Sequence, residues 1–195
     1  MRTAEIKRKT NETDIELFLN IDGAGKSDIA TDCGFFNHMM ALFASHGNFD
    51  IKLSVKGDSE VDYHHTVEDA GIALGQAFFK ALGDKRGICR YGSFLLPMDE
   101  ALVLVSLDIS GRPFLSYSMN IPTSTTGDFD TALAEEFMQS FSRNLGLTLH
   151  IKQLDGKNAH HIIEAAFKGL ARALAQAVCF DAKRMNEIPS TKGIL

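Results

Sequence analysis

The stretch that decides the fold occurs twice in this chain. The first copy reads Tyr63-His64-His65-Thr66-Val67-Glu68, and the second reads Ala159-His160-His161-Ile162-Ile163-Glu164. Both contain His-His-x-x-Glu, 96 residues apart, and they hold four of the seven histidines. On a helix the first His and the Glu share one face, while the second His points about 100° away. Each motif can therefore bind one cation with two side chains and offer the third to another cation.

The apolar positions after each motif repeat with the same offset and with helical periodicity. The matched pairs are Val67 with Ile163, Ala70 with Ala166, Leu74 with Leu170, Ala77 with Ala173, Phe78 with Leu174 and Leu82 with Val178. A single His-His-x-x-Glu can be no more than the polar first turn of a helix. The repetition, with a histidine that continues each apolar face, instead predicts imidazoles packed beside carboxylates. A metal ion is the strongest candidate to satisfy such groups.

The composition excludes several classes of protein. Hydrophobic residues make up 45% of the 195 residues and charged residues 23%, which is typical of a soluble globular protein. The net charge of −5 argues against general nucleic-acid binding. Cys33, Cys89 and Cys179 form no CxxC pair and are expected to be reduced thiols. With neither a signal peptide nor an apolar run that spans a membrane, we expect a cytoplasmic protein without membrane partners.

Alternating and helical patterns follow one another in the same order in both halves. Strands are predicted at 2–10, 13–21, 51–55, 91–96, 101–109, 113–120 and 147–151, with a weaker hairpin partner at 27–32. Helices are predicted to begin at Phe35, Tyr63, Leu133 and Ala159. Residues 123–127 are predicted as a polar loop, with Asp128 or Asp130 as the N-cap of the third helix.

Each half is thus a β-β-β-α-β-α unit, which indicates an internal duplication. We expect an α+β fold in which two helices cover one face of each four-stranded sheet and all helices pack between the two sheets. The expected boundaries are 1–88 for the first repeat, 89–180 for the second and 181–195 for an irregular C-terminal tail.

The repeat adds one candidate ligand to each half, His38 before the first motif and Glu136 before the second. The candidate ligands are then His38, His64, His65, Glu68, Glu136, His160, His161 and Glu164. Nitrogen and oxygen donors without thiolate suit Mn²⁺, Fe²⁺ or Zn²⁺. Four protein ligands would fill a tetrahedral zinc site but leave two positions of an octahedral ion for substrate, which favours Mn²⁺. Glu136 can alternatively be an ordinary surface carboxylate.

A second set of polar side chains lies at turns, at element ends and in the tail. Its members are Arg90, Arg112, Lys168, Ser190 and Lys192. Guanidinium and ammonium groups are the side chains that bind phosphate, although each of these charges taken alone can equally be a solvated surface group.

Together these motifs resemble the imidazoleglycerol-phosphate dehydratase family. The stretches that carry the resemblance, in order along nearly the whole chain, are Gly34-Phe35-Phe36-Asn37-His38-Met39, His64-His65-Thr66-Val67-Glu68-Asp69, Pro97-Met98-Asp99-Glu100-Ala101-Leu102, Ser110-Gly111-Arg112-Pro113, Leu149-His150 and the residues from His160 to Lys168. The resemblance implies repeats like ribosomal protein S5 domain 2 and dehydration of imidazoleglycerol phosphate to imidazoleacetol phosphate in histidine biosynthesis. It also implies two Mn²⁺ per active site and a homo-oligomer of 24 subunits with sites shared between subunits.

The resemblance also implies a role for each matching position. The metal ligands would be His38, His64, His65, Glu68, His160, His161 and Glu164. At position 136, where this chain has Glu, some members of the family have His. Phosphate would be bound by Arg90, Arg112, Lys168, Ser190 and Lys192. Glu12 would act as acid and base, Asp99 as a supporting carboxylate, and His46 would flank the substrate. The catalytic set would then be Glu12, His38, His64, His65, His160 and His161.

The chemistry explains why such a site would use metal. The proton to be removed lies on a carbon without an adjacent carbonyl, so direct abstraction is unfavourable. If both ring nitrogens bind metal, the resulting imidazolate can expel the hydroxyl through a diazafulvene intermediate. Two alternatives use the same residues: a two-metal hydrolase of phosphate esters, and a non-catalytic binding module of the same fold.

Overall fold

The structure, a computed structural model, describes all residues 1–195 and contains two four-stranded sheets. The strands are β1 Thr3–Lys9, β2 Thr13–Asn20, β3 Ser27–Ala30, β4 Asp50–Gly57, β5 Tyr91–Met98, β6 Ala101–Asp108, β7 Phe114–Ser118, β8 Thr125–Thr126, β9 Phe129–Asp130 and β10 Thr148–Asp155. The helices are α1 Gly34–Gly47, α2 His64–Leu82, α3 Leu133–Leu145 and α4 Ala159–Val178. The sheet orders, β1-β2-β4-β3 and β5-β6-β10-β7, are equivalent, which confirms the predicted α+β duplication.

Alternation along the strands turns one face of each sheet toward the helices. In β6, for example, every second residue from Ala101 is buried. Helices α1 and α2 cover the first sheet, α3 and α4 cover the second, and the layers meet where α2 packs on α3 and α1 on α4. One core of 49 buried residues runs through both halves. The two repeats therefore bury their helices against each other. No helix is both long and apolar enough to cross a membrane.

Two glycines allow α2 and α3 to approach closely. A Cβ atom added to Gly75 would lie 2.7 Å from the carbonyl oxygen of Phe141, and one added to Gly71 would lie 3.0 Å from that of Phe137. These contacts are with helix backbone, which cannot move aside as a flexible side chain can. The close approach brings the first turn of α2 beside the first turn of α3.

Four details of the sequence prediction are wrong. The strand at 27–32 is not a hairpin partner, because β3 lies parallel to β4 after the α1 crossover. The loop at 123–127 contains β8, which pairs with β9. This hairpin moves the helix start onward, so the N-cap of α3 is Ala132 and not Asp128 or Asp130. The strand β5 continues through Pro97, which an edge strand tolerates. Residues 181–195 contain no helix or strand, as expected.

Candidate metal centre

The N-terminal ends of α1 and α4 bring two imidazoles and one carboxylate together. Nε2 of His38 lies 3.4 Å from Oε2 of Glu164, and Nε2 of His160 lies 3.1 Å from the same oxygen. One donor atom from each of these residues lies within 4.8 Å of the others. We call His38, His160 and Glu164 the α4 group. Two nitrogen donors and one oxygen donor at this spacing fit a divalent cation.

A positive charge lies beside the buried carboxylate of the α4 group. Glu164 is 5% exposed and pairs with the ammonium of Lys168 one turn later. Burial by itself would raise the pKa of Glu164, but the hydrogen bond and charge of Lys168, with the two imidazoles, give a net lowering. Burial, then the charges of Lys168 and Arg172, lower the pKa of the nearby His46. The group therefore holds an ionised carboxylate, while His46 favours its neutral form.

The duplication produces a related arrangement where α2 meets α3. His64 and Glu136 line one cleft of about 310 Å³, and Nε2 of His64 lies 3.8 Å from Oε2 of Glu68. We call His64, Glu68 and Glu136 the α2 group. In it Glu136 occupies the place that His38 has in the α4 group. Because Glu136 lines the same cleft as His64, it remains a candidate ligand.

Each second histidine of the motifs has a carboxylate on Nδ1. Nδ1 of His65 lies 3.0 Å from Asp58, and Nδ1 of His161 lies 2.7 Å from Glu100. The hydrogen bond to Asp58 raises the pKa of His65, and the hydrogen bond to Glu100 raises that of His161. The same bond, with the Asn158 and Lys157 amides, lowers the pKa of Glu100 to about 2. Sequence reasoning missed Asp58 and Glu100.

The predicted carboxylates Glu12 and Asp99 lie near the other nitrogen of the same rings. Oε1 of Glu12 is 3.7 Å from Nε2 of His65, and Oδ2 of Asp99 is 3.7 Å from Nε2 of His161. Both carboxylates come from the turn between the first two strands of their sheet. The structure therefore brings Glu12 and Asp99 to equivalent positions beside the two motifs.

The helix starts hold the histidine motifs in place by different contacts. Asn158 is the N-cap of α4, and its side chain accepts hydrogen bonds from the backbone N–H groups of His160 and His161. At α2 the carboxylate of Asp62 accepts the N–H of His64 at 2.7 Å. These short polar residues before each motif fix the first turn that carries the imidazoles.

An aromatic layer lies between the two groups. The ring of Phe35 is 4.9 Å from that of Phe129 and 5.1 Å from that of His160. Beyond Phe129, the carboxylate of Asp128 accepts the hydroxyl of Tyr63 at 2.9 Å. No hydrogen bond or ion pair joins the α2 group to the α4 group. Within one chain the two motifs thus form two separate half-sites at the same end of the helix layer.

Most of the candidate phosphate-binding residues lie away from the α4 group. The guanidinium of Arg90 pairs with both oxygens of Asp108, at 2.6 and 3.0 Å, and donates to the carbonyl of Pro189 at 2.8 Å. The tail thereby places Ser190 and Lys192 near Arg90. The end of the tail returns to Gly111, next to Arg112, since a Cβ on Gly111 would lie 3.0 Å from Leu195.

The distance along α4 separates this candidate phosphate-binding cluster from the α4 group. The N–H of Arg90 donates to the carbonyl of Ala177 in the last turn of α4, whereas His160 lies in the first turn. With a rise of 1.5 Å per residue, these two turns are roughly 25 Å apart. Only Lys168, on α4 itself, lies beside the candidate metal ligands.

Comparison with known proteins identifies the family. The family model for imidazoleglycerol-phosphate dehydratase matches residues 31–174. The imidazoleglycerol-phosphate dehydratase of Thermoanaerobacter pseudethanolicus is 60% identical over 195 residues, and that of Methylorubrum populi is 56% identical, each match covering 100% of both sequences.

Solved structures of the same family superpose on the chain. The imidazoleglycerol-phosphate dehydratase of Staphylococcus aureus has a TM-score of 0.84 at 38% identity and covers 92% of this chain and 99% of its own. The protein from Pyrococcus furiosus, in complex with (S)-C348, has a TM-score of 0.85 at 40% identity. The match covers 97% of this chain and 100% of the Pyrococcus chain. The chain therefore belongs to the imidazoleglycerol-phosphate dehydratase family.

Proposed function

We propose that this chain is a hydro-lyase that dehydrates imidazoleglycerol phosphate to imidazoleacetol phosphate in histidine biosynthesis, in the cytoplasm, with two Mn²⁺ per active site. The observation that carries the proposal is the convergence of His38, His160 and Glu164 in a chain that belongs to this family. The pseudo-equivalent α2 group supports a second ion.

The side chains present fit such ions. In the α4 group three donors face one another and none is a thiolate, so an ion bound there would keep other positions open for further ligands and substrate. In the α2 group His64 and Glu68 face each other and Glu136 lines the same cleft as His64, again without a thiolate. His65 and His161 point away from their own groups, and each would complete the coordination of an ion held by a group on another copy. Divalent ions bound there supply the Lewis acidity that favours loss of a proton from a substrate imidazole.

Proton transfer is the proposed task of Glu12. Its carboxylate is exposed and lies 3.7 Å from Nε2 of His65, so it can reach a substrate bound beside that imidazole. Dehydration needs a proton delivered to the leaving hydroxyl and a proton removed from the neighbouring carbon. One carboxylate can do both in turn. Asp99, beside His161, is proposed to support the substrate, and His46, next to Lys168, to flank it.

Phosphate binding requires a second copy of the chain. A substrate as small as imidazoleglycerol phosphate cannot reach from the α4 group to Arg90 across roughly 25 Å of helix. We propose that Arg90, Arg112, Ser190 and Lys192 of a neighbouring copy meet the metal groups, with Lys168 contributed by the chain that holds the metal. The active form is then a homo-oligomer, expected to contain 24 subunits.

The experiment is a product assay of purified protein before and after chelation. We expect imidazoleacetol phosphate without release of inorganic phosphate, loss of activity with EDTA and recovery with Mn²⁺. Sedimentation should show that the assembly breaks up as metal is removed, because ligands shared between copies couple metal binding to association. Release of inorganic phosphate would favour the hydrolase. If EDTA changes neither the stability nor the assembly, and the purified protein contains no metal, the binding module is favoured.

A further inference from the structure

Cys89 and Cys179 lie opposite each other where the segment before β5 pairs with the end of α4. An isolated antiparallel bridge joins Ile88 to Phe180. On one side of it the N–H of Cys89 donates to the carbonyl of Cys179 at 2.8 Å, and on the other the N–H of Asp181 donates to the carbonyl of Gly87 at 2.8 Å. In antiparallel pairing, the residues one step away from such a bridge are again direct partners.

The distance expected for this pair suits a covalent bond. Cys89 and Cys179 share one of the two hydrogen bonds of such a position, since the N–H of Cys179 donates to the carbonyl of Gln176. Direct partners in this position have Cα atoms about 5.5 Å apart and side chains on the same face. That value lies inside the range of roughly 4.4–6.8 Å found for disulfides. Both thiols are free and exposed, whereas Cys33, in the other half of the chain, is buried. Neither Cys89 nor Cys179 takes part in the candidate metal centre.

We propose that Cys89 and Cys179 form a reversible disulfide within one chain when the protein meets a small-molecule disulfide such as oxidised glutathione. The thiolate of one cysteine attacks the small disulfide. This forms a mixed disulfide with the protein and releases one small-molecule thiolate. The second cysteine then attacks the cysteine sulfur of the mixed disulfide. This closes the Cys89–Cys179 bond and releases the second small-molecule thiolate. Two protein thiols are oxidised and one small disulfide is reduced to two thiols, and the released thiolates take up the two protons that the protein thiols lose.

The surroundings of the pair influence how easily it reacts. Burial, the neighbouring Cys179 and Asp181 raise the pKa of Cys89, so its thiolate is scarce at neutral pH. Exchange should therefore be slow at neutral pH and faster in mild alkali. The bond would tie the residue before Arg90 to the point where the tail leaves α4. Because it closes a loop around nearly all of the second repeat, it should also restrict the unfolded chain.

The test treats the full-length protein with oxidised glutathione at mildly alkaline pH, then blocks free thiols and maps the peptides by mass spectrometry. We expect one peptide pair linked through Cys89 and Cys179, a migration as monomer on a non-reducing denaturing gel, and a melting temperature higher by roughly 5–10 °C that dithiothreitol reverses. C89S and C179S should each abolish the linked pair, while C33S should retain it.

Three results with the unmodified protein would overturn the proposal: separate glutathione adducts on the two cysteines, a disulfide between chains, or two thiols that remain fully alkylated after oxidation. The linked peptide is read from the unmodified protein, so the test stands even where a serine variant folds poorly. A linked pair that persists in C89S would equally contradict the assignment.

Discussion

At the scale of single residues, the contacts of the second histidines explain how the imidazoles are oriented. Asp58 and Glu100 accept from Nδ1 of His65 and His161, which leaves Nε2 of each ring available as a ligand. The ligand candidates could be predicted because a repeated His-His-x-x-Glu has a definite geometry on a helix. Their partners could not, since Asp58 and Glu100 come from turns whose distance along the chain bears no periodic relation to the histidines.

Replacement of the proposed proton-transfer residue gives the first prediction. E12Q should lower turnover by roughly 100-fold or more, because general acid–base catalysis contributes about that much. The metal content should not change, since Glu12 is not a proposed ligand. E16Q is the matched control, because Glu16 is an exposed glutamate of the neighbouring strand that pairs only with Lys7. Steady-state rates, measured together with the metal content, test this prediction. Equal turnover in E12Q and E16Q would remove Glu12 from the mechanism.

The second prediction concerns pH in the metal-free protein. Folding raises the pKa of His65 above its ordinary 6.5 through the bond to Asp58. Its contribution to stability is therefore complete below pH 6.5 and is lost as the pH rises through the raised value. D58N should thus lower the free energy of unfolding more at about pH 6 than at about pH 9.

Chemical denaturation at the two pH values, at one protein concentration, measures this difference. D28N serves as the control, because Asp28 pairs with Lys52, which keeps its charge over this range. A loss in D58N that is the same at both pH values would show that the pair does not titrate as described.

At the scale of secondary-structure elements, long periodic segments were predictable and short ones were not. Helix α4 begins and ends where its apolar periodicity predicts, at Ala159 and Val178. The two-residue strands β8 and β9 are too short to show any period. The parallel pairing of β3 depends on the α1 crossover, which places it beside β4, and local sequence carries no sign of that.

The close contact of α2 with α3 gives the third prediction. G75A should destabilise the protein by roughly 1–3 kcal/mol, because its Cβ would meet the backbone of α3 and force the helices apart. It should also weaken metal binding by the α2 group, which depends on the approach of His64 to Glu136. G34A, at an open position of α1, should be nearly neutral. Thermal unfolding and metal titration compare the two variants, and equal stability would contradict the role given to this contact.

At the scale of the whole molecule, the arrangement of the groups indicates an assembly. The duplication, and with it the two candidate metal groups, could be predicted from the repeated motifs. The separation of these groups by Phe35 and Phe129 could not, because it depends on how four helices pack. The distance from His160 to Arg90 likewise follows from the length and direction of α4. One chain therefore holds every proposed residue of the site but cannot bring them all to one substrate.

The most direct test of this claim is complementation between two inactive variants. H160A removes a proposed metal ligand and R90A removes a proposed phosphate ligand, so each alone should be nearly inactive. After the two are dissociated with chelator, mixed in equal amounts and reassembled with Mn²⁺, random assembly should make about one quarter of the sites from two intact contributions. We predict recovery of about that fraction of wild-type activity. A mixture that stays as inactive as its components, although sedimentation shows mixed assemblies, would contradict a site shared between copies.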